Sequence, residues 1–183
     1  MLQYIAFLRG IGPGNPNMRN EKLQGVFEDL GFKNVQTVIS SGNVLFDSSS
    51  KNVTAMEKEI EKTWPEKLGF TSTTIIRSQK EIQTFIAKKP FGELEHSKET
   101  YLLVTFLKEP PDKLPINLPY QNEDKSYKVM SYNKELRALC SVSDTTAVKT
   151  PDFMRWLEKN FGKEISSRTW KTVLRIANKM EKQ

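Results

Sequence analysis

Residues 4–15 read Tyr4-Ile5-Ala6-Phe7-Leu8-Arg9-Gly10-Ile11-Gly12-Pro13-Gly14-Asn15, so that an apolar run passes directly into a glycine-rich segment. The run is apolar at consecutive positions, which predicts a central β-strand, Gln3–Leu8, buried on both faces. An amphipathic helix is expected after the glycines. A strand, a glycine-rich turn and a helix N-terminus in this order direct backbone N–H groups towards one point. The segment therefore predicts both the start of a fold and a place where a ligand can bind.

The first half of the chain continues with apolar and turn patterns that predict the order βαββαβ. This order is typical of the ferredoxin-like fold. Asn17 is the expected N-cap of the first helix, Gly31 its C-terminal stop, and Pro65 is expected to kink or restart the second helix. The elements expected after the first strand are a helix from about Met18 to Leu30, strands Val35–Ile39 and Val44–Phe46, a helix over about Asn52–Leu68 and a strand Thr73–Ile76.

The second half predicts a further α+β region, so that the chain as a whole is expected to be an α+β protein of two subdomains, 1–77 and 78–183. Ser78 and Glu81 have the spacing of a capping box. The stretch Glu135–Cys140 fits a hairpin strand, although its composition also permits a helix. The expected elements are a helix from Ser78 to about Lys88, a central strand Tyr101–Leu107, a proline-rich loop Glu109–Asn122, a hairpin of Tyr127–Met130 with Glu135–Cys140, a helix from Thr150 to Gly162 and a last helix from about Ser167 to Met180.

Composition narrows the classes of function. The chain has 183 residues and a net charge of +6, with the positive excess concentrated after residue 162. It contains one histidine, His96, and one cysteine, Cys140, so neither an internal disulfide nor a His/Cys metal cluster is expected. No cofactor is indicated. No segment approaches the roughly 18–20 continuous apolar residues of a membrane span. We therefore expect a cytoplasmic protein without membrane association, whose oligomeric state the sequence leaves open.

Three motifs in order resemble an uncharacterised, largely bacterial family catalogued only as a domain of unknown function. They are the opening Tyr4–Ile11, the internal Ser41-Gly42-Asn43-Val44-Leu45-Phe46 and the terminal Arg168-Thr169-Trp170-Lys171-Thr172-Val173. The resemblance spans nearly the whole chain. It implies two α+β subdomains, the first ferredoxin-like, and it implies no activity, ligand or catalytic residue.

The chain departs from the pattern of that family at three places. Gly12 stands where the family's opening loop has asparagine, and Thr169 replaces the asparagine of the terminal motif. The stretch Ser143–Lys149 stands where family members often have Gly-Arg-Ser-Lys. If these positions form a polar site, this chain carries an altered version of it.

The glycine-rich segment is the first candidate site. Glycine allows close approach of a ligand to the backbone, and an arginine adds a bidentate donor for an anion. The spacing matches neither a dinucleotide fingerprint nor a phosphate loop with its G-K-[ST] ending. The residues that would bind an anion are Arg9, Gly10, Gly12, Gly14 and Asn15. Alternatively, the glycines and Pro13 only turn the chain and Arg9 pairs with an acid.

The turn Ser41-Gly42-Asn43 is the second candidate, either as part of the same anion site or as a tight β-turn. A nucleophilic serine needs a base, and His96 lies in a polar loop, which disfavours Ser-His-Asp chemistry. An enzyme that uses Arg9, Ser41 and Asn43 in an unassigned reaction stays as an alternative, although a binding protein is favoured over an enzyme.

The last predicted helix is the third candidate. A helical projection places Arg168, Lys171, Arg175 and Lys179 in one arc, with Trp170 opposite them. Such a stripe could bind the nucleic acid backbone weakly and without sequence preference. A solvated amphipathic helix gives the same pattern, and so does a docking face for another protein. Trp156 and Trp170 are expected to be core residues.

The function favoured by the sequence is therefore the non-enzymatic binding of an anionic ligand, either a small phosphate-type molecule or a nucleic acid backbone. The alternatives are the enzyme just described and a protein-interaction module.

Overall fold

A computed structural model describes residues 1–12, 14–39 and 42–182. Strands and helices alternate along the described residues and form two antiparallel sheets. In chain order they are β1 Leu2–Leu8, a short 3-10 helix Pro16–Met18, α1 Asn20–Asp29, β2 Lys33–Thr37, β3 Asn43–Ser48, α2 Val53–Leu68, β4 Thr74–Ser78, α3 Gln79–Ala87, β5 Tyr101–Leu107, β6 Tyr120–Gln121, β7 Tyr127–Asn133, β8 Ala138–Ser143, α4 Thr150–Phe161, β9 Ile165–Thr169 and α5 Trp170–Glu181.

The N-terminal sheet has the strand order β2-β3-β1-β4, which is the ferredoxin-like arrangement, and its element order βαββαβ confirms the prediction. Strand β1 is central because it pairs antiparallel with both β3 and β4. One face of β1 packs with Phe27 of α1 and Trp64 of α2. Ile5 and Phe7, on the other face, are also fully buried. Burial on both faces explains why the strand is apolar at consecutive positions.

The outer edge of β4 is covered by carboxylates of α2. Glu57 Oε1 accepts a hydrogen bond from the Ile76 N–H at 2.8 Å, and Glu61 Oε1 accepts one from the Thr74 N–H at 2.8 Å. Glu57 and Glu61 are four residues apart and therefore lie on one face of the helix. They occupy the donors through which an edge strand would pair with another chain. The helix runs from Val53 to Leu68 without a restart at Pro65.

The second sheet has the order β6-β7-β8-β5-β9, and its central strand β5 confirms the prediction for Tyr101–Leu107. Strands β7 and β8 form the predicted hairpin, so the helical alternative for Glu135–Cys140 is wrong. Phe153 and Leu157 of α4 pack on one face of this sheet.

Two predicted helix starts have different outcomes. The capping box at α3 is confirmed, because Glu81 Oε2 accepts from the Ser78 N–H at 2.7 Å and Ser78 Oγ accepts from the Glu81 N–H at 3.3 Å. The N-cap prediction for Asn17 is wrong. Asn15 caps the 3-10 helix instead, with its Oδ1 accepting from the Asn17 N–H at 2.9 Å, and α1 begins only at Asn20.

The predicted last helix is wrong at its N-terminal end. Residues 165–169 form β9, which pairs with β5, and α5 begins at Trp170. Serine and threonine favour caps and strands over helix interiors, which accounts for the boundary. Thr169 Oγ1 accepts from the Thr172 N–H at 3.2 Å and so caps the helix. Arg168 is therefore a strand residue.

The chain divides into two compact units. One comprises Met1–Ile82 with Arg175–Gln183, and the other comprises Gln83–Leu174. This grouping differs from a single division after residue 77, because the final part of α5 belongs with the ferredoxin-like unit.

Trp64 is the fully buried tryptophan of the ferredoxin-like core, whereas Trp156 and Trp170 are only partly buried. Both pack against other aromatic side chains, as expected of core residues, but neither is fully buried, so the prediction is wrong for the extent of burial. Trp156 stacks on Tyr120, and Trp170 meets Phe85 edge-on.

We expect Trp64→Ala to lower the free energy of unfolding by about 3–5 kcal/mol, because it opens a cavity beside Phe27 and Phe70. It also removes the hydrogen bond from Trp64 Nε1 to Thr74 Oγ1. Trp156→Ala should cost about 2 kcal/mol, since less apolar area is withdrawn from water. Urea unfolding of both variants measures the difference. Equal losses would contradict the assignment of Trp64 as the central core residue.

Candidate functional site

The structure brings the glycine-rich loop and the β2–β3 turn together at the C-terminal end of β1. The Leu8 N–H donates to the Gly42 carbonyl at 2.8 Å. The Arg9 N–H donates to the Thr73 carbonyl at 2.9 Å, and Ser72 Oγ donates to the Arg9 carbonyl at 2.8 Å. Both neighbours of β1 thus fix the start of the loop. Pro13 and Ser41, which belong to the predicted segments, lie outside the described residues.

Gly42 is the point of closest contact between the loop and the turn. Its φ of +71° lies in the left-handed region, which favours glycine. A Cβ at this position would lie 2.6 Å from Ile11 Cγ1 and 3.0 Å from Leu8 Cβ. Since real Cβ atoms do not approach so closely, only glycine allows Ile11 to pack here. The predicted turn residue is therefore also a packing residue.

The loop is held from within by its own polar groups. The Asn15 N–H donates to the Gly12 carbonyl at 3.2 Å, and the Gly12 N–H points to Met18 Sδ at 3.4 Å. Asn17 Nδ2 donates to the Leu68 carbonyl at 3.1 Å, which ties the 3-10 helix to the end of α2. The carboxamide oxygen of Asn15 serves as a cap, so Asn15 supports the shape of the loop.

Asn43 closes the turn. It is 1% exposed, and its Nδ2 donates to the Val38 carbonyl at 2.9 Å. The Val38 N–H donates in return to the Asn43 carbonyl at 2.9 Å. Because this amide is buried within the hairpin, we assign Asn43 to the turn.

Two residues of this region were not identified by sequence reasoning. Ile39, predicted as the last residue of a strand, lies beyond the end of β2 at Thr37. Its φ of +61° is strained for a β-branched residue, and its side chain is 41% exposed. No sequence pattern signals that strain. Ser72 is buried and anchors Arg9, although in the sequence it belongs to an ordinary polar stretch between α2 and β4.

The charge around the loop favours an anion. Residues 1–20 contain Arg9 and Arg19 and no acidic residue. Helix α1 begins after Arg19 without a side-chain cap, so no capping side chain bonds its first backbone N–H groups. Glu21, in the first turn of α1, is the nearest acid along the chain.

The predicted basic stripe does not form on one helix. Arg168 lies on β9, where its Nη1 donates to Ser166 Oγ at 2.9 Å and to the Ser167 carbonyl at 2.8 Å. Burial lowers the pKa of Arg168 to about 10. On α5, Lys179 Nζ donates to the Thr37 carbonyl at 3.0 Å, whereas Lys171 and Arg175 are exposed. Two of the four predicted cations are thus engaged with the protein itself.

Cys140 and His96 do not form a pair of nucleophile and base. Burial raises the pKa of the Cys140 thiol to about 11. Burial and the charge of Lys171 lower the pKa of His96, whose Nδ1 accepts from the Leu102 N–H at 3.2 Å. Within residues 1–12, 14–39 and 42–182, no three His, Cys, Asp or Glu side chains are grouped as a metal site.

No helix of the described part of the chain is long and apolar enough to cross a membrane.

The fold and this region define an α+β protein with a ferredoxin-like unit and a glycine-rich loop at the end of its central strand. The chain belongs to the family described as "Protein of unknown function (DUF1697)", whose pattern matches residues 1–136. This confirms the resemblance, with the first two motifs inside the matched residues and the terminal motif, at 168–173, beyond them. No curated protein matches the sequence.

A solved structure is similar over almost the entire chain. It is that of the conserved bacterial protein SP0830 from Streptococcus pneumoniae, with a TM-score of 0.74 and 18% sequence identity over 97% of each chain. At this identity the likeness shows the fold alone.

Three glycine substitutions separate packing from backbone strain at the loop. Gly42→Ala adds a clash and a strained φ, and should lower the free energy of unfolding by about 3 kcal/mol or more. Gly10→Ala adds only the strain of its φ of +72°, in open space, and should cost about 1–2 kcal/mol. Gly14→Ala, in open space without positive φ, should be neutral or slightly stabilising. Urea unfolding gives the order, and a Gly42→Ala variant as stable as Gly14→Ala would contradict the packing of Ile11.

Cys140 should resist alkylation in the folded protein. With a pKa of about 11 against an ordinary 9.0, the thiolate is scarce near pH 8, and the side chain is buried. Iodoacetamide labelling followed by mass spectrometry should therefore track unfolding in urea. By linkage, this thiol should lower the free energy of unfolding as the pH rises from 9.0 towards about 11. Rapid labelling of the native protein would contradict the assigned burial.

Proposed function

We propose that the protein binds a small anionic ligand, of phosphate or carboxylate type, at the end of the ferredoxin-like sheet. The observation that carries the proposal is the contact of Ile11 with Gly42, which fixes the glycine-rich loop against the β2–β3 turn. A loop held in one conformation binds with less entropic cost than a mobile one. Arg9 would supply the guanidinium. Gly10 and Gly12 would let the ligand approach the backbone closely, and Gly14 and Asn15 would maintain the conformation of the loop.

A small anion is favoured over a nucleic acid. Ferredoxin-like domains that bind RNA do so with aromatic residues on the open face of the sheet. In this sheet the corresponding face is fully buried at Ile5, Phe7 and Leu45, so it offers no surface for stacking bases. The basic residues of α5 offer only Lys171 and Arg175 as exposed cations of the four predicted. Weak, salt-sensitive contact with a phosphate backbone is the most that two such charges support.

Binding is favoured over catalysis because the candidate catalytic groups Asn43, Cys140 and His96 are buried or already hydrogen-bonded. Asn43, one of the three residues of the enzyme alternative, is buried with its amide engaged in the turn. The thiol of Cys140 is protonated at neutral pH and buried. His96 lies in the other compact unit, with Nδ1 accepting a backbone hydrogen bond. No described pair of these groups has the arrangement of an activated nucleophile.

The test is a titration of the full chain with inorganic phosphate, followed by ¹H–¹⁵N NMR. We expect saturable shifts at the amides of Gly10–Gly12 and Gly42, with a dissociation constant of about 1–10 mM. Arg9→Ala should abolish saturation, because it removes the bidentate donor. Arg9→Lys should retain part of the affinity, since it keeps the charge without the planar fork.

Arg175→Ala is the matched control, because it removes one exposed arginine from the same compact unit. It should bind phosphate as the parent chain does. Shifts spread evenly over the surface, or equal losses in Arg9→Ala and Arg175→Ala, would overturn the site and leave the loop as a turn.

A further inference from the structure

A pocket lies in the ferredoxin-like unit at the opposite end of β1 from the glycine-rich loop. It has a volume of about 520 Å³, which is within the range of small-molecule sites. Gln3, near the start of β1, faces Asp47, near the end of β3, as its register partner. The residues lining the pocket are Met1, Leu2, Gln3, Asn34, Gln36, Asp47, Gln79, Met180 and Glu181.

The polar side chains that line the pocket are carboxylates and carboxamides. Asp47 and Glu181 contribute carboxylates, and the carboxamides come from Asn34 and three glutamines. Asn34 Nδ2 donates to Asp47 Oδ2 at 2.6 Å, which orients that carboxylate. Lys33, the register partner of Asp47 on β2, is exposed and is not part of the lining. The lining thus sets two carboxylates against one cationic group, the α-amino group of Met1, and is locally acidic in a protein whose net charge is +6.

The C-terminal end of α5 adds to the negative charge at this pocket. Backbone carbonyls at the end of a helix have no partner within the helix, and the helix dipole places partial negative charge there. Gln79 Nε2 donates to the Met180 carbonyl at 3.0 Å, which holds the end of α5 beside the pocket. Lys179 is the basic residue of the last turn of α5. Its ammonium donates a hydrogen bond to the Thr37 carbonyl at 3.0 Å, and it is not part of the lining.

We propose that this pocket binds a small organic cation that carries a guanidinium or ammonium group. Two carboxylates and a helix C-terminus attract positive charge, and the carboxamide oxygens can accept the remaining N–H donors. A guanidinium is the better fit, because its planar fork presents five donors to acceptors distributed around a rim. Within the described residues no three or more His, Cys, Asp and Glu side chains are grouped as a metal site.

The test is calorimetric titration of the full chain with three uncharged-backbone probes: N-acetylarginine amide, N-acetyllysine amide and N-acetylcitrulline amide. The citrulline probe has nearly the shape of the arginine probe and no charge. We expect millimolar affinity for the arginine probe, weaker binding of the lysine probe and none of the citrulline probe. Affinity should fall as salt is added, because the rim of the pocket is open to solvent.

The double variant Asp47→Asn/Glu181→Gln should weaken binding of the arginine probe at least about tenfold, which corresponds to 1.4 kcal/mol or more. The control is Glu59→Gln/Glu66→Gln, which makes the same change in net charge at two exposed residues of α2. It should bind as the parent chain does. Glu181→Gln alone tests the same point without disturbing the Asn34–Asp47 hydrogen bond.

Equal affinity for the arginine and citrulline probes, equal losses in the two double variants, or no saturable binding by the parent chain would each overturn the proposal. The proposal is independent of the anion site. Arg9→Ala should leave binding of the arginine probe unchanged, so that failure at one end of β1 is distinguishable from failure at the other.

Discussion

Burial of β1 on both faces and along both edges is the constraint on which the ferredoxin-like unit depends. The strand pairs with β3 on one side and β4 on the other, and its residues Tyr4 to Leu8 are buried. A strand so enclosed cannot slip by one residue, because a slip would exchange the side chains of its two faces. Both of its ends are therefore fixed in space, and each end forms part of a candidate site.

The two ends differ in chemistry although they belong to one strand. At the C-terminal end, Arg9 and the glycines lead through the 3-10 helix to the start of α1, where the helix dipole is positive. At the N-terminal end, Gln3 faces Asp47 beside the end of α5, where the dipole is negative. Opposite helix ends thus give the two regions opposite electrostatic preferences within one small unit. The net charge of +6 does not predict the acidic region, because it sums over the whole chain.

Most of the fold was predictable because its signals are local. The consecutive apolar residues of β1, the capping box of Ser78 and Glu81, and the positive-φ Gly31 all act within a few residues. The boundary between β9 and α5 was not predictable from the sequence. Arg168 fits a helical projection, and only the pairing with β5 makes it a strand residue. The candidate anion site was predictable as a loop and a turn, but the contact of Ile11 with Gly42 depends on tertiary packing. The acidic pocket gave no sequence signal, because its lining residues are distant in the chain.

The most direct measurement of the central claim, that β1 carries two independent sites of opposite charge preference, is one NMR titration with two probes. Inorganic phosphate and N-acetylarginine amide are added separately and then together to the same ¹⁵N-labelled chain. Phosphate should shift amides of Gly10–Gly12 and Gly42, and the arginine probe those of Leu2, Gln3 and Asp47. Saturation with either probe should leave the affinity for the other unchanged. Shifts at a common set of residues, or competition between the probes, would contradict the account.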